Sequence, residues 1–113
     1  MSGITTHVLD MSVGLPAGDV PVRLEIQTGD SWRTLGSGRT DADGRLRTLL
    51  PEGATVAPGV YRISFDTASY FSGRGMKSFF PSVAIVFTIE DPSQHYHVPL
   101  LLSPFGYSTY RGS

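Results

Sequence analysis

The chain contains no cysteine. That absence removes thiol nucleophiles, disulfides and thiolate metal ligands together. Stability must then come from packing, helped by association. A block of charge is missing too. Nine basic residues face ten acidic ones, the formal net charge is −1, and the basic residues are scattered. With no basic run, nothing electrostatic points to nucleic acid or to a membrane surface as partner. No apolar run approaches the ~18 residues of a membrane helix. The opening "MSGITTHVLD" does not set an apolar segment behind a cationic one, as a secretory signal would. The expected compartment is the cytoplasm.

What is present is alternation. The 113 residues, 40% hydrophobic and 17% charged, suit one packed domain over 1–113. In "DVPVRLEIQ", Val20, Val22, Leu24 and Ile26 share one face. Tyr61, Ile63 and Phe65 do so in "VYRISFD", and Val83, Ile85, Phe87 and Ile89 in "SVAIVFTIE". Period 2 is the signature of a half-buried strand. "ITTHVL", "SWRTLGSGR", "HYHVPLLLS" and "FGYSTYR" add similar pieces, and "TGD", "DADG" and "EDPSQ" supply turns between them. The expected fold is all-β, an antiparallel sandwich of about eight strands in two sheets. "DTASYFSGRGMKSFFP" breaks the pattern. Asp66 or Thr67 is expected to cap a short helix from Ala68, with Gly73 or Gly75 ending it.

"HYHVPLLLS" carries a second signal. Tyr96, Val98, Leu100 and Leu102 form the core face; His95, His97, Pro99, Leu101 and Ser103 form the other. Pro99 and Leu101 make that outer face too apolar for bulk water. It is expected to meet another subunit, with His97 on the interface. Phe105 and Tyr107 are expected to anchor the final strand.

The titratable side chains are few. His7 lies out of phase with Ile4, Thr6 and Val8. Such a residue is either a solvated strand histidine or a general base working near neutral pH. His95 and His97 share a strand face at roughly 7 Å. That spacing can hold a metal, but only one further histidine is present and a metal wants three or four ligands. No metal and no cofactor are therefore expected. Asp41, Asp43 and Gly44 form an Asp-Gly turn, not a calcium loop, because the glycine comes too early. Arg45 starts the next strand and is either a surface arginine or a fork for carbonyls and anions. Ser103, Ser108 and Ser113 lack the G-x-S-x-G setting of a hydrolase nucleophile.

At "HVLDMSVGLPAGDVPVRLE" and "YHVPLLLSPFGYSTYRGS" the chain resembles the transthyretin-like family. "DADGR", "SFDTASYF" and "FFPSVAIVF" fall between in the expected order. Within the family it is similar to the branch that hydrolyses 5-hydroxyisourate and unlike the hormone carriers. That branch carries His7 in the first strand, Arg45 after the Asp-Gly turn, "YHVP" around His97 and a final "YRGS" from Tyr110 to Ser113. The carriers have a small hydroxyl residue in place of His97 and run on past the tetrapeptide. The resemblance implies a homotetramer with sites in the groove where two dimers meet. It implies catalytic roles for His7, Arg45, His97 and Ser113, and substrate binding by His7, Arg45 and Tyr110. Ser113 would bring a hydroxyl and a free carboxylate. The implied reaction opens a cyclic amide of an oxidised purine, the step after urate oxidation. Which histidine is the base stays open, and His95 is expected to support the site without touching substrate. The competing implication is a ligand carrier with the same fold and no chemistry.

Overall fold

In a computed structural model, which describes residues 3–113, the chain forms two packed sheets and one short helix. The order along the chain is β1 (Gly3–Asp10), β2 (Leu15–Pro16), β3 (Pro21–Thr28), β4 (Ser31–Arg39), β5 (Arg45–Leu46), β6 (Gly59–Phe65), α1 (Thr67–Ser72), β7 (Val83–Ile89), β8 (His95–Ser103) and β9 (Gly106–Thr109). One sheet runs β2-β1-β8-β9, with β5 also paired to β1. The other runs β4-β3-β6-β7. No helix among the described residues is long and apolar enough to cross a membrane.

Alternation does what the sequence led us to expect. Along β1 every second side chain, from Ile4 to Asp10, is buried. Ile4, Val8, Val98 and Leu100 of the first sheet meet Val22, Leu24, Ile63 and Phe65 of the second in one core. Thr6 is polar but buried, and its hydroxyl donates to the Val98 carbonyl at 2.6 Å, which ties β1 to β8.

The sandwich departs from a purely antiparallel one at a single pairing. β1 and β8 run parallel, in register from Gly3 opposite His95 to Asp10 opposite Leu102. Parallel neighbours need a long crossover, and here everything from β2 to β7 lies between them.

The helix starts one residue earlier than expected. The Asp66 carboxylate accepts from the Ser69 amide at 3.2 Å, and Gly73 closes the C-terminal end. Six residues are too few to be stable alone. Docking holds it, through buried Phe71 and through the Tyr70 hydroxyl, which donates to the Asp10 carboxylate at 2.7 Å. Burial pushes the Asp10 carboxyl up, but hydrogen bonds from Ser12 and Tyr70 outweigh it and hold the group below its ordinary value. Burial and the Asp10 charge push the Tyr70 phenol up to about 12.

Two expectations near the C-terminal end need correcting. Phe105 does not anchor the last strand: it is 73% exposed. Ser103 pairs with Gly106, so Pro104 and Phe105 are the centre of a two-residue hairpin turn, whose side chains project away from the strands. Tyr107 is also largely exposed and rests edge-on against Phe80. Pro99, expected to need another subunit as cover, is buried within its own chain. β9 and the chain after it run antiparallel along β8 past this residue, with the Thr109 hydroxyl donating to the Pro99 carbonyl at 2.7 Å and Gly112 opposite His97.

Candidate active site

The outer face of the first sheet gathers the reactive side chains by register. Parallel pairing sets Thr5 opposite His97 and Gly3 opposite His95. On the other side of β1, antiparallel pairing sets His7 opposite Arg45. Because side chains alternate, Thr5, His7, His95 and His97 all lie on the face that points away from the core.

The Asp-Gly turn delivers Arg45 to this face. The Asp41 carboxylate accepts from the amides of Asp43 at 2.9 Å and Arg45 at 3.0 Å, and these bonds hold its pKa low, that of Arg45 first. Gly44 sits at φ +76°, and a Cβ there would lie 2.3 Å from the Val8 carbonyl oxygen. Only glycine lets the turn press this closely on β1.

A second close approach brings in the C-terminal segment. The Gly112 amide donates to the His97 carbonyl at 2.8 Å. A Cβ on Gly112 would stand 2.6 Å from His97 Cδ2. The glycine lets the chain lie flat along the imidazole, and Ser113 follows into the cavity beside it.

That cavity, of about 230 Å³, is lined by Thr5, Arg45, Arg47, His95, His97 and Ser113. Three of the expected residues, Arg45, His97 and Ser113, thus meet in one place. Tyr110 does not line it. It borders an adjoining apolar cavity of about 250 Å³ that shares His97 as a wall. Arg111 is held aside, with its guanidinium 4.5 Å over the Tyr96 ring and bonded to the Gln94 carbonyl oxygen at 2.7 Å. His7 lies next to the cavity without lining it. Its Nε2 is 2.9 Å from the Asp43 carbonyl oxygen. A carbonyl only accepts, so His7 Nε2 carries a proton and donates it, while Nδ1 has no hydrogen-bond partner among the described residues.

The His97 imidazole is strongly influenced by its surroundings. Half-burial first, then the Arg45 guanidinium and the neighbouring His7, His95 and Arg47, hold its pKa below the ordinary 6.5. Each of these disfavours the imidazolium. At neutral pH the ring is a free base in a positively biased cavity.

Two participants escaped the reading of the sequence. Arg47 follows Arg45 by two residues, so period 2 alone would have placed both on one side. Thr5 is different: its hydroxyl lies 2.8 Å from His97 Nδ1 and 3.0 Å from His95 Nε2. Only the β1–β8 register makes that contact, and no local pattern announces it.

The model of the HIUase/Transthyretin family matches residues 4–112. The chain belongs to this family. Among its relatives in the HIUase/Transthyretin family, the 5-hydroxyisourate hydrolase of Salmonella dublin is 48% identical over 110 residues, which is 97% of this chain and 80% of that protein. The structure of the Klebsiella pneumoniae 5-hydroxyisourate hydrolase superposes with a TM-score of 0.87 at 38% identity, over the full length of both chains. Transthyretin from Sparus aurata superposes with a TM-score of 0.90 at 34% identity, covering 99% of this chain and 97% of that one. Hydrolase and transthyretin thus share one frame, and backbone shape does not separate them.

Proposed function

We propose that this chain is a hydroxyisourate hydrolase, which adds water across the cyclic amide of 5-hydroxyisourate and opens the ring to a carboxylate. One observation carries the reading: a neutral imidazole, His97, shares a small cavity with two guanidiniums and a serine hydroxyl. Amide hydrolysis needs those functions together: a base for water, positive charge for the tetrahedral oxyanion, and a proton for the leaving nitrogen.

His97 takes the proton from water. Arg45 receives the carbonyl-rich substrate in its planar fork and stabilises the oxyanion. His7, with Nδ1 unengaged, shares the acid–base work from the cavity edge. Ser113 positions the attacking water, and Tyr110 packs on the substrate from the adjoining cavity. No covalent intermediate enters this scheme.

The working unit is a homotetramer, with sites where two dimers meet. In its support, β7 and β9 are each an end strand of their sheet, and Phe79 and Phe105 are 70% and 73% exposed. Unpaired edges and exposed aromatics call for a partner. The species mass in solution checks this.

The deciding experiment adds freshly prepared 5-hydroxyisourate and follows its ultraviolet decay against the spontaneous rate. Decay accelerated in proportion to protein concentration is expected. Saturable binding without acceleration would instead make the chain a small-ligand carrier.

A further inference from the structure

We propose that Thr5 is a positioning residue that links His97 to His95, so that the proton taken up in the cavity is passed to a solvent-exposed histidine. This rests on the hydrolase reading above. The geometry is a three-member chain, His97 Nδ1 to Thr5 Oγ1 at 2.8 Å and Thr5 Oγ1 to His95 Nε2 at 3.0 Å. His97 is half-buried and His95 exposed, so the chain leads outward.

A threonine hydroxyl has one proton to give and lone pairs to accept with. Among the described residues its hydrogen-bond partners are the two histidines. It donates to one and accepts from the other, so only one of the two facing ring nitrogens carries a proton at a time. When that proton is on His97 Nδ1, His97 Nε2 is a free base. When it is on His95 Nε2, His97 Nδ1 is bare and its own proton sits on Nε2. Thr5 therefore ties the tautomer of one ring to that of the other.

The balance of the hydrolytic step follows. A water O–H bond breaks and its proton joins His97 Nε2, while the remaining hydroxide adds to the amide carbon. The His97 Nδ1 proton moves to Thr5 Oγ1, and the Thr5 proton moves to His95 Nε2. His97 is left neutral, now protonated on Nε2, the form that can donate to the leaving nitrogen. The positive charge resides on His95. When His97 gives its Nε2 proton to the departing nitrogen, the two relay transfers reverse and the starting state returns.

The surroundings explain why exporting charge helps. His97 is faced by Arg45 and Arg47 from β5 and the segment after it, by His7 from β1, by His95 on its own strand and by Arg111 across the adjoining cavity. The side-chain charges these groups can carry are all positive, and, among the described residues, the only negative group expected at the cavity wall is the carboxylate of Ser113. An imidazolium held there through the reaction is costly, whereas one at the exposed end of the chain is solvated.

The test compares Thr5→Val, which keeps the β-branched shape without the hydroxyl, with Thr5→Ser and His95→Asn. Thr5→Val and His95→Asn should each lower kcat by ~10-fold or more with KM nearly unchanged. The double variant should be no worse than either single one, because both break the same chain. Thr5→Ser should restore most of kcat. Multiplying losses, or a Thr5→Val enzyme with wild-type kcat, would overturn the relay. A second arm needs no substrate. Nitrogen-15 spectra of the imidazoles should show His97 and His95 tautomers that change together with pH in the wild type and independently in Thr5→Val. Identical spectra and titrations in both proteins would overturn the coupling, whereas a wild type with coupled rings and no turnover would count against the hydrolase reading alone.

Discussion

The two sheets offer the same raw material on their outer faces and use it in opposite ways. On the second sheet three of the four arginines, all but Arg33, face a carboxylate. Arg62 sends Nε and Nη2 to Oε1 of the buried Glu25, both at 2.8 Å, and lies 4.3 Å over the Trp32 ring. Arg23 leans on the same carboxylate, and Arg39 faces Asp19 at 3.5 Å. On the first sheet, Arg45 and Arg47 form no ion pair among the described residues. Their charge is left to act on His97. The second sheet also carries the larger hollow, about 770 Å³ against 230 Å³, yet no histidine lines it. The proposed site is thus singled out by uncompensated charge around a half-buried imidazole and not by the size of its cavity.

Exchanging residues on the two faces should expose this difference. The largest effect is expected at His97→Asn: kcat/KM should fall by ~10²–10⁴-fold with the thermal midpoint nearly unchanged. A loss within tenfold, ~1.4 kcal/mol, would remove His97 as the main base. Deleting Tyr110 to Ser113 should come next, costing ~100-fold or more in kcat/KM with a drop of only a few degrees in midpoint. β9 ends at Thr109, so the sandwich keeps its strands while His97 loses its backbone partner at Gly112. Paired thermal and kinetic measurements decide it: an unfolded or dissociated product would make the segment structural instead.

Arg45 separates charge from shape. Arg45→Lys keeps the charge but not the fork, and kcat/KM should drop by ~10-fold or more, in line with lost charge-assisted hydrogen bonds. The pH profile adds the sign. With the His97 pKa lowered, the base is neutral down to pH values below 6.5, so the acidic limb of kcat/KM should lie under that value. Arg45→Gln removes a positive neighbour, makes the imidazolium easier to form and should move the limb upward. Arg45→Lys should leave it in place, and a limb unmoved in both variants would show that Arg45 does not tune the base. The smallest effect on turnover is expected from the other sheet. Glu25→Gln should keep kcat/KM within about twofold while lowering stability by ~1–3 kcal/mol, the range for disturbing a buried hydrogen-bonded group. Denaturant unfolding beside the assay measures both, and a large kinetic loss would erase the contrast between the faces.

Most of the frame was legible because alternation is local. The off-core phase of His7 and His97 and the Asp-Gly turn before Arg45 could be read from a few residues each. What stayed hidden depends on contacts across the chain. Pro99 looked exposed because nothing in "HYHVPLLLS" tells that β9 and the chain after it run along β8 past this residue. Thr5 drew no reading at all, because its meaning comes from a residue 92 positions away. Tyr110 was expected to bind substrate, and only the course of the chain past β9 shows that it lines the adjoining apolar cavity and not the one that holds Ser113.

The parallel pairing of β1 with β8 also has a consequence for biosynthesis. A pair of this kind raises contact order and delays the contacts that close last. During translation β1 leaves the ribosome first, and within its own sheet it has only the short β2 and β5 as partners until nearly all of the chain has been made. The histidine pair on β8 then docks onto it. A nascent or stalled chain that ends before β8 holds Thr5, His7 and Arg45 but lacks His97, the main base of the proposed scheme. The proposed site is therefore assembled late, and a chain that stops before β8 is expected to be inert, whereas one that stops after β9 keeps the histidines and part of the activity.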